Sequence, residues 1–438
     1  MENVTNIETI EVQKPKKRKL NLTSYSLLTT HGFNLAISIF VSTFLISYIY
    51  SISENYVLNI GLFYCFNYLA FGSFSYFVSK LTDKTNRIWS YRAAVFIRAV
   101  FIILVVFLGK KLASVVVLAG FLHGLSEACY WCNYNVLKNE LIPNSCMNKY
   151  ATLQIIENKG VNFVVPIVLG KIIDAESFKT SAIIILVVVI LQLIVSFFIK
   201  SSKPENAHFS FKEFYAHTKS SPRNKEVFKL CFITTLVFGS TTLISPINTI
   251  IVMLTFNSNF SLGMLTGVFS AVSIIMLILA KRFSKPGKKT PIYVICAVVS
   301  VAATIVVTFV TNKVTLIIFN FAYIACATFY SYYYDVYRNV LLKKLELYDD
   351  IAEYQCLLEM LMAASRVTCF VVMIVTGLIG AAFGTNGLIV ALKCLFVLAI
   401  LMFASMNWLL YKYEKKLIKH EILWYKKHII MIRKNCYM

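Results

Sequence analysis

One apolar stretch of the sequence carries an acid, an imidazole and two phenols at helical spacing. A helix would place all four on one face, because they lie at i, i+4, i+7 and i+11: His123, Glu127, Tyr130 and Tyr134. A carboxylic acid one turn from an imidazole is suited to exchanging a proton near neutral pH. The same side chains also suit a hydrogen-bonded contact between two helices, and the spacing leaves both interpretations open.

A second apolar stretch supplies the opposite charge. Arg366 lies about 12 residues into it, roughly 18 Å along a helix, and Glu359 lies two turns earlier on nearly the same face. A guanidinium at this depth can hold an anionic substrate group through two parallel hydrogen bonds. It can equally be neutralised by Glu127, Glu157 or Glu359, because charges inside a membrane usually find partners. These side chains are all candidates for a substrate or proton pathway. Two polar residues of the first apolar stretch are further candidates for it: His31 and Asn34.

The composition predicts that these residues lie in a membrane. Of the 438 residues, 58% are hydrophobic and 15% are charged, which is too apolar for a soluble globular domain. A helix needs roughly 20 apolar residues to cross the hydrocarbon core, and twelve such stretches follow one another between residues 26 and 410. The predicted fold class is therefore an all-α polytopic membrane protein with twelve transmembrane helices in two pseudo-symmetric six-helix halves.

A polar segment divides the apolar stretches into two groups of six. The predicted domains are a basic tail (1–25), a first half (26–199), a linker (200–229), a second half (230–410) and a basic amphipathic tail (411–438). Similar patterns recur in the two halves, such as NVLKNEL at 135–141 and NVLLKKL at 339–345. Recurrence at matching topological positions favours duplication of a six-helix unit.

The basic residues fall on alternate connectors. Outside the apolar stretches, 33 Lys and Arg lie on the side of the N-terminus and 5 on the other side. The positive-inside rule therefore predicts a multi-pass plasma-membrane protein with both termini in the cytosol. Anionic lipid of the inner leaflet is a sufficient partner for the net charge of +22. We accordingly expect membrane lipids as partners, and no nucleic acid.

The connector between the second and third stretches, SKLTDKTNRI at 79–88, carries a motif. It resembles the signature loop of the major facilitator superfamily of secondary transporters, Gly-x-Leu-(small)-Asp-(Arg/Lys)-x-Gly-(Arg/Lys)-(Arg/Lys). Four positions match: Leu81, Asp83, Lys84 and Arg87. Three depart from it, with Ser79 and Asn86 in place of the glycines and Ile88 in place of the last basic residue. The resemblance implies two six-helix halves around a central cavity that opens alternately to each side, with Asp83, Lys84 and Arg87 as a cytosolic gate.

The function expected from these features is secondary active transport of a small organic solute across the plasma membrane by alternating access, with protons as the candidate coupling ion. The sequence contains no Gly-x4-Gly-Lys-(Ser/Thr) phosphate loop, so an ATP-driven pump is not indicated. A lipid or amphiphile translocase of the same fold is an alternative, which the tyrosine-rich tenth stretch permits. A transport-derived sensor or a membrane-embedded enzyme is an alternative of another class. We expect no enzymatic activity, no cofactor or metal, and a monomer.

Overall fold

The computed structural model describes residues 20–200, 209–219, 228–229, 232–236, 238–239, 241–282, 289–345 and 351–435. Its description of side chains excludes positions 83, 84, 144, 281, 289–291, 335–345, 351, 410 and 413–435. Within the described residues every regular element is helical, as the all-α fold class requires.

The first half of the chain contains six long helical segments. The first consists of α1 (Leu22–Ile39), a π-helical stretch (Phe40–Leu45) and α2 (Ile46–Ile52). The other five are α3 (Tyr56–Lys84), α4 (Arg87–Leu108), α5 (Val116–Leu141), α6 (Met147–Ala175) and α7 (Phe178–Ser196). Asn86, which replaces the second glycine of the motif, begins α4 by accepting a hydrogen bond from the backbone N–H of Ile88 at 3.1 Å. An asparagine at this position is a favourable N-cap.

The linker contributes one short helix, α8 (Phe211–Lys219). The second half continues with α9 (Ile244–Phe256), α10 (Asn259–Arg282), α11 (Lys289–Phe309), α12 (Lys313–Leu345), α13 (Ile351–Ala381) and α14 (Gly384–Asn435). Helical residues at 232–236 and 238–239 precede α9. Gly384, at φ +70°, allows the tight reversal between α13 and α14 because it has no Cβ.

The number of helices agrees with the predicted architecture. Among the described residues, ten stretches are long and apolar enough to cross a membrane. One of them, Arg87–Leu141, contains both α4 and α5. The more highly charged α6, which carries Glu157, Lys159 and Lys171, is the remaining long helix. Together these segments make the twelve helices that the sequence predicts.

The C-terminal tail does not begin a new element. Helix α14 runs for 52 residues from Gly384 to Asn435 without a break, and it includes residues 411–435 of the predicted amphipathic tail. The segment 410–435 contains no glycine or proline, so no residue in it stops a helix. The tail is therefore an extension of the last long helix.

The two halves meet through two pairs of helices, α3 with α13 and α6 with α10. Their backbones approach closely at glycines. A Cβ at Gly263 would collide with the carbonyl oxygen of Pro166, and one at Gly170 with that of Asn259. Small residues allow membrane helices to pack at short distance.

We call the end of the bundle at which the linker lies the linker end, and we call the opposite end the distal end. Both of these glycine contacts lie in the distal part of the bundle.

At the distal end, a carboxylate of the first half accepts hydrogen bonds from the second half. Asp174, which follows the apolar part of α6, accepts hydrogen bonds from the backbone N–H groups of Asn259 (3.0 Å) and Phe260 (2.9 Å) and from the hydroxyl of Ser258 (2.7 Å). It thereby caps α10, where a negative charge also meets the positive end of the helix dipole. Partial burial by itself would raise the pKa of Asp174, but these hydrogen bonds outweigh it and hold the pKa below its ordinary value of 3.8.

We predict that Asp174→Ala lowers the free energy of unfolding at pH 7 by about 1 kcal/mol, the usual value of an N-cap. The pKa of Asp174 is lower in the folded state than in the unfolded state. Its contribution to the free energy of unfolding is therefore present above its ordinary pKa and is lost as the pH falls through its folded-state pKa. The difference between wild type and variant in thermal unfolding should therefore shrink below about pH 4.

The matched control is Glu176→Ala, which removes an exposed carboxylate two residues further along that makes no hydrogen bond to α10. An equal loss of stability in both variants, or a difference that does not change with pH, would contradict the capping role of Asp174.

Candidate functional site

Arg98 of α4 is completely buried and has a partner on each of three sides. Its Nη2 lies 2.6 Å from Oε1 of Glu127 on α5. Its Nη1 donates to Oδ1 of Asn34 on α1. The guanidinium carbon lies 5.3 Å from the ring centroid of Tyr130, within the range of a cation–π interaction. A guanidinium in an apolar bundle needs such partners, because removing it from water is costly.

The Glu127 carboxylate is paired through both oxygens. Oε1 binds Arg98, and Oε2 accepts a hydrogen bond from Nε1 of Trp131 at 2.7 Å, one helical turn away. The side chain of Glu127 is 16% exposed, whereas that of Arg98 is fully enclosed. The two ionised groups together carry no net charge, and Glu127 is the less enclosed member of the pair. We call Asn34, Arg98, Glu127, Tyr130 and Trp131 the Arg98 cluster.

His31 of α1 continues this cluster towards α6. Its Nδ1 lies 2.9 Å from the hydroxyl of Tyr130, and its ring stacks on Tyr134 with centroids 4.5 Å apart. The Tyr134 hydroxyl in turn accepts a hydrogen bond from Gln154 at 2.9 Å and lies 3.3 Å from the hydroxyl of Tyr150. A polar chain thus joins α4, α5, α1 and α6.

Five of the residues proposed for the pathway come together here: His31, Asn34, Glu127, Tyr130 and Tyr134. His123 does not join them. It lies between the rings of Phe63 and Phe101, with centroid distances of 6.2 and 5.1 Å, and its Nδ1 has no hydrogen-bond partner among the described residues. The physical reason is the close approach of α5 to α3, since a Cβ at Gly124 would meet a carbonyl oxygen of α3. Proton exchange between His123 and Glu127 therefore has no direct hydrogen bond to support it.

Arg366 of α13 has a different environment. Its Nε donates to the hydroxyl of Thr242 at 3.1 Å, and its guanidinium lies 4.8 Å from the ring centroid of Tyr68 on α3. Among the described residues no carboxylate lies within 4.0 Å of this guanidinium. Of the three candidate partners, Glu127 binds Arg98 instead.

Tyr68 connects Arg366 with the Arg98 cluster. It lies within electrostatic range of both the Arg366 guanidinium and the Glu127 carboxylate. Helix α3 belongs to the first half and α13 to the second, and one turn from Tyr68 they are in contact at Gly72 and Ala363. The two arginines therefore lie on either side of the same contact between the halves.

The other two predicted carboxylates lie apart from Arg366. Glu359 contributes to a small cavity of about 10 Å³ at the linker end, which Arg87 also lines. Glu157 of α6 packs against Gly32 of α1, and its Oε2 is buried without a hydrogen-bond partner among the described residues.

Of the three proposed gate residues, the structure describes the side chain of Arg87. It is buried and forms an ion pair with Glu140 of α5 at 3.1 Å, and it also donates to the hydroxyl of Thr82 at 3.4 Å. Both of these partners belong to the first half. The side chains of Asp83 and Lys84 lie outside the described part of the structure.

Sequence reasoning assigned no role in the site to Arg98, Trp131 or Tyr68. An arginine in the middle of the third apolar stretch was a usable signal, because such a charge usually marks a functional position. Its partner could not be read from the sequence, since the rotation of α4 relative to α5 decides which side chains meet. Trp131 and Tyr68 carried no signal beyond their aromatic character.

Comparisons with known proteins agree with this architecture. Residues 27–345 match the family model described as Major Facilitator Superfamily. The chain is 25% identical over 214 residues to YqgE, an uncharacterised protein of Bacillus subtilis (strain 168). That match spans 48% of this chain and 49% of the relative, so the chain covers about half of the relative's length.

Several solved structures share the fold. The nucleoside transporter NupG has a TM-score of 0.62 at 14% identity, covering 91% of this chain and 99% of that one. A bacterial homologue of the human lysosomal transporter Spinster, inward-facing and unoccupied, has a TM-score of 0.60 at 10% identity, covering 92% and 99%. A bacterial homologue of the iron transporter ferroportin, also inward-facing, has a TM-score of 0.62 at 11% identity, covering 88% and 98%. At these identities the likeness concerns the fold alone.

The Arg98–Glu127 ion pair yields a prediction about stability. Arg98→Met should destabilise the protein by roughly 3–5 kcal/mol, because it leaves the Glu127 carboxylate without its cation. The double variant with Glu127→Gln should recover most of that loss, since it removes both charges. Thermal unfolding in one detergent measures both variants, with Arg282→Met at an exposed position as control. A double variant as unstable as Arg98→Met would contradict this pairing.

Proposed function

Because this chain belongs to the major facilitator superfamily, we propose that it is a secondary active transporter that moves a small organic solute across the plasma membrane by alternating access. The two six-helix halves and the polar residues at their contact support the proposal. The charge asymmetry of the connectors supports an orientation with both termini and the linker in the cytosol. In that orientation Asp83, Lys84 and Arg87 lie at the cytosolic end, where we propose that they form a gate.

The observation that carries the proposal is the guanidinium of Arg366. Its Nε binds Thr242, while its terminal nitrogens bind no acceptor among the described residues. A guanidinium presents these two nitrogens in the geometry that matches a carboxylate or phosphate group. Tyr68 supplies an aromatic surface beside it. We infer that the solute carries an anionic group, which binds Arg366 at the contact between the halves.

The Arg98 cluster supports coupling to protons. An ionised carboxylate is costly in an apolar bundle unless it is paired. Glu127 is paired with Arg98 and partly exposed, so a proton can compete with Arg98 for it when the helices move. Glu157 is the second candidate carboxylate, because one of its oxygens is buried without a hydrogen-bond partner. We propose Glu127 as the proton carrier, with Glu157 as the residue to compare.

The alternative of a lipid or amphiphile translocase gains no support from the tyrosines of α12. Tyr330, Tyr333 and Tyr334 are buried in a hydrophobic core that includes residues of both halves, and Tyr323 packs against that core partly buried. The ring of Tyr334 stacks on Phe238 with centroids 4.2 Å apart. Side chains packed in this way stabilise the core itself and do not line a path for an acyl chain.

We predict that ligands found by thermal-shift screening of the purified protein carry a carboxylate or phosphate group, since binding to the native state stabilises it. Arg366→Gln should weaken their binding about 30-fold or more, equivalent to about 2 kcal/mol, because the anion loses its counter-charge. The unliganded variant should stay folded. Arg92→Gln, at the linker end of α4, is the control and should bind normally. Neutral ligands, or normal binding by Arg366→Gln, would refute this role.

A transport experiment tests the proton carrier. With a ligand from the screen, purified protein in vesicles should accumulate it in response to a pH gradient. Glu127→Gln should abolish accumulation while retaining exchange of labelled for unlabelled ligand, because it removes the titratable group but keeps a side-chain oxygen that can still accept a hydrogen bond from Arg98. Glu157→Gln is the matched comparison. Full accumulation by Glu127→Gln together with its loss in Glu157→Gln would reassign the carrier to Glu157.

A further inference from the structure

A cavity of about 520 Å³ lies within the second half, away from the proposed transport path. It is enclosed by the distal ends of α9, α11, α12 and α14. Neither Arg366 nor any member of the Arg98 cluster lines it. Its volume is in the range of cavities that bind small organic molecules. We call it the Lys393 pocket.

The mouth of the Lys393 pocket is positively charged. Lys393 of α14 donates from Nζ to the carbonyl oxygen of Thr308 at 2.9 Å, which places the ammonium group at the last turn of α11. Lys313, the first residue of α12, lies with its Nζ 5.6 Å from the ring centroid of Phe256. Among the described residues, no carboxylate lies within 4.0 Å of either ammonium group. Two lysines therefore line one pocket, with no carboxylate of the described residues within 4.0 Å of either.

The hydrogen-bonding groups at the mouth are mainly donors. Each ammonium group has N–H bonds beyond the contacts described above, and Asn312 also lines the pocket. The hydroxyls of Thr308 and Thr311 already donate to backbone carbonyls one turn earlier, at 2.7 and 2.8 Å. Several N–H donors and two positive charges favour a ligand with more than one anionic oxygen.

The remainder of the pocket is apolar. Ile251, Leu392 and Phe396 are buried on its inner side, while Leu254 and Ile389 are 41% and 37% exposed on the bundle surface. In a membrane such exposed aliphatic side chains face lipid tails. The pocket therefore has a cationic mouth at the level of the helix ends and an apolar wall that continues towards the middle of the membrane.

An anionic phospholipid likewise has a charged head group at one end and apolar acyl chains at the other. Its phosphate lies at the membrane surface, at the level of the two lysines. Its acyl chains extend into the hydrocarbon, at the level of the apolar wall. Basic pockets between transmembrane helices are suited to acidic lipid head groups. We propose that the Lys393 pocket binds an anionic phospholipid of the distal leaflet, with the phosphate on Lys313 and Lys393 and an acyl chain along Leu254 and Ile389.

The test compares lipids on the purified full-length protein in a non-ionic detergent. Phosphatidylglycerol should raise the Tm of the wild type more than phosphatidylcholine does, because a lipid that binds the native state stabilises it. In the double variant Lys313→Met and Lys393→Met the two lipids should give the same increase. The double variant Lys110→Met and Lys111→Met, which removes two exposed distal lysines of the first half, should behave as wild type.

Two further variants keep the proposal testable if the methionine variant is unstable. Replacing both pocket lysines by arginine keeps the charge and should preserve the preference for phosphatidylglycerol. Ile389→Trp obstructs the apolar wall without changing the charge and should remove the preference. The proposal is overturned if the methionine variant keeps the wild-type preference, or if soluble glycerol 3-phosphate alone reproduces the full increase, which would indicate a site for a free anion.

Discussion

A charge held between apolar helices must be paired within the protein, because neither lipid nor water is there to solvate it. This constraint explains the arrangement of the first half. The guanidinium of Arg98 is surrounded by the Asn34 amide, the Glu127 carboxylate and the Tyr130 ring. These partners lie on α1 and α5, so a single charge on α4 fixes the relative positions of three helices. The aromatic stacking of His31 on Tyr134 extends the same contact towards α6.

The contact between the halves is of a different kind. Within the first half the charged groups bind each other directly, whereas the halves meet through closely packed glycines and through hydrogen bonds such as those accepted by Asp174. Hydrogen bonds of an exposed carboxylate are individually weak and can be exchanged for water. The first half is thus held by buried charged contacts, whereas the contacts between the halves described here are glycine packing and hydrogen bonds.

The fold was largely predictable from the sequence, because its main determinants are local. Apolar stretches of sufficient length predicted the twelve helices, and the polar segment at 200–229 predicted the division into halves. Helical spacing placed Glu127, Tyr130 and Tyr134 on one face, and the structure places them in one cluster. Contacts between helices were less accessible, since they depend on how each helix is rotated. Spacing alone puts His123 with Glu127, but the glycines of α5 bring that part of the helix against α3 and leave His123 between two phenyl rings.

Arg98 and Arg366 show why spacing and depth cannot distinguish a structural charge from a binding one. Both lie near the middle of apolar helices, and both lie against an aromatic ring, Tyr130 for Arg98 and Tyr68 for Arg366. Arg98 has a carboxylate at 2.6 Å, whereas Arg366 has a threonine hydroxyl at 3.1 Å. The cost of desolvating Arg98 is offset within one half, while that of Arg366 is offset only in part. An incoming anion would complete the pairing at Arg366 and would have to displace Glu127 to reach Arg98. Arg366, which has no carboxylate within 4.0 Å among the described side chains, is therefore the better candidate for substrate binding, and the paired Arg98 is better suited to hold the helices in place.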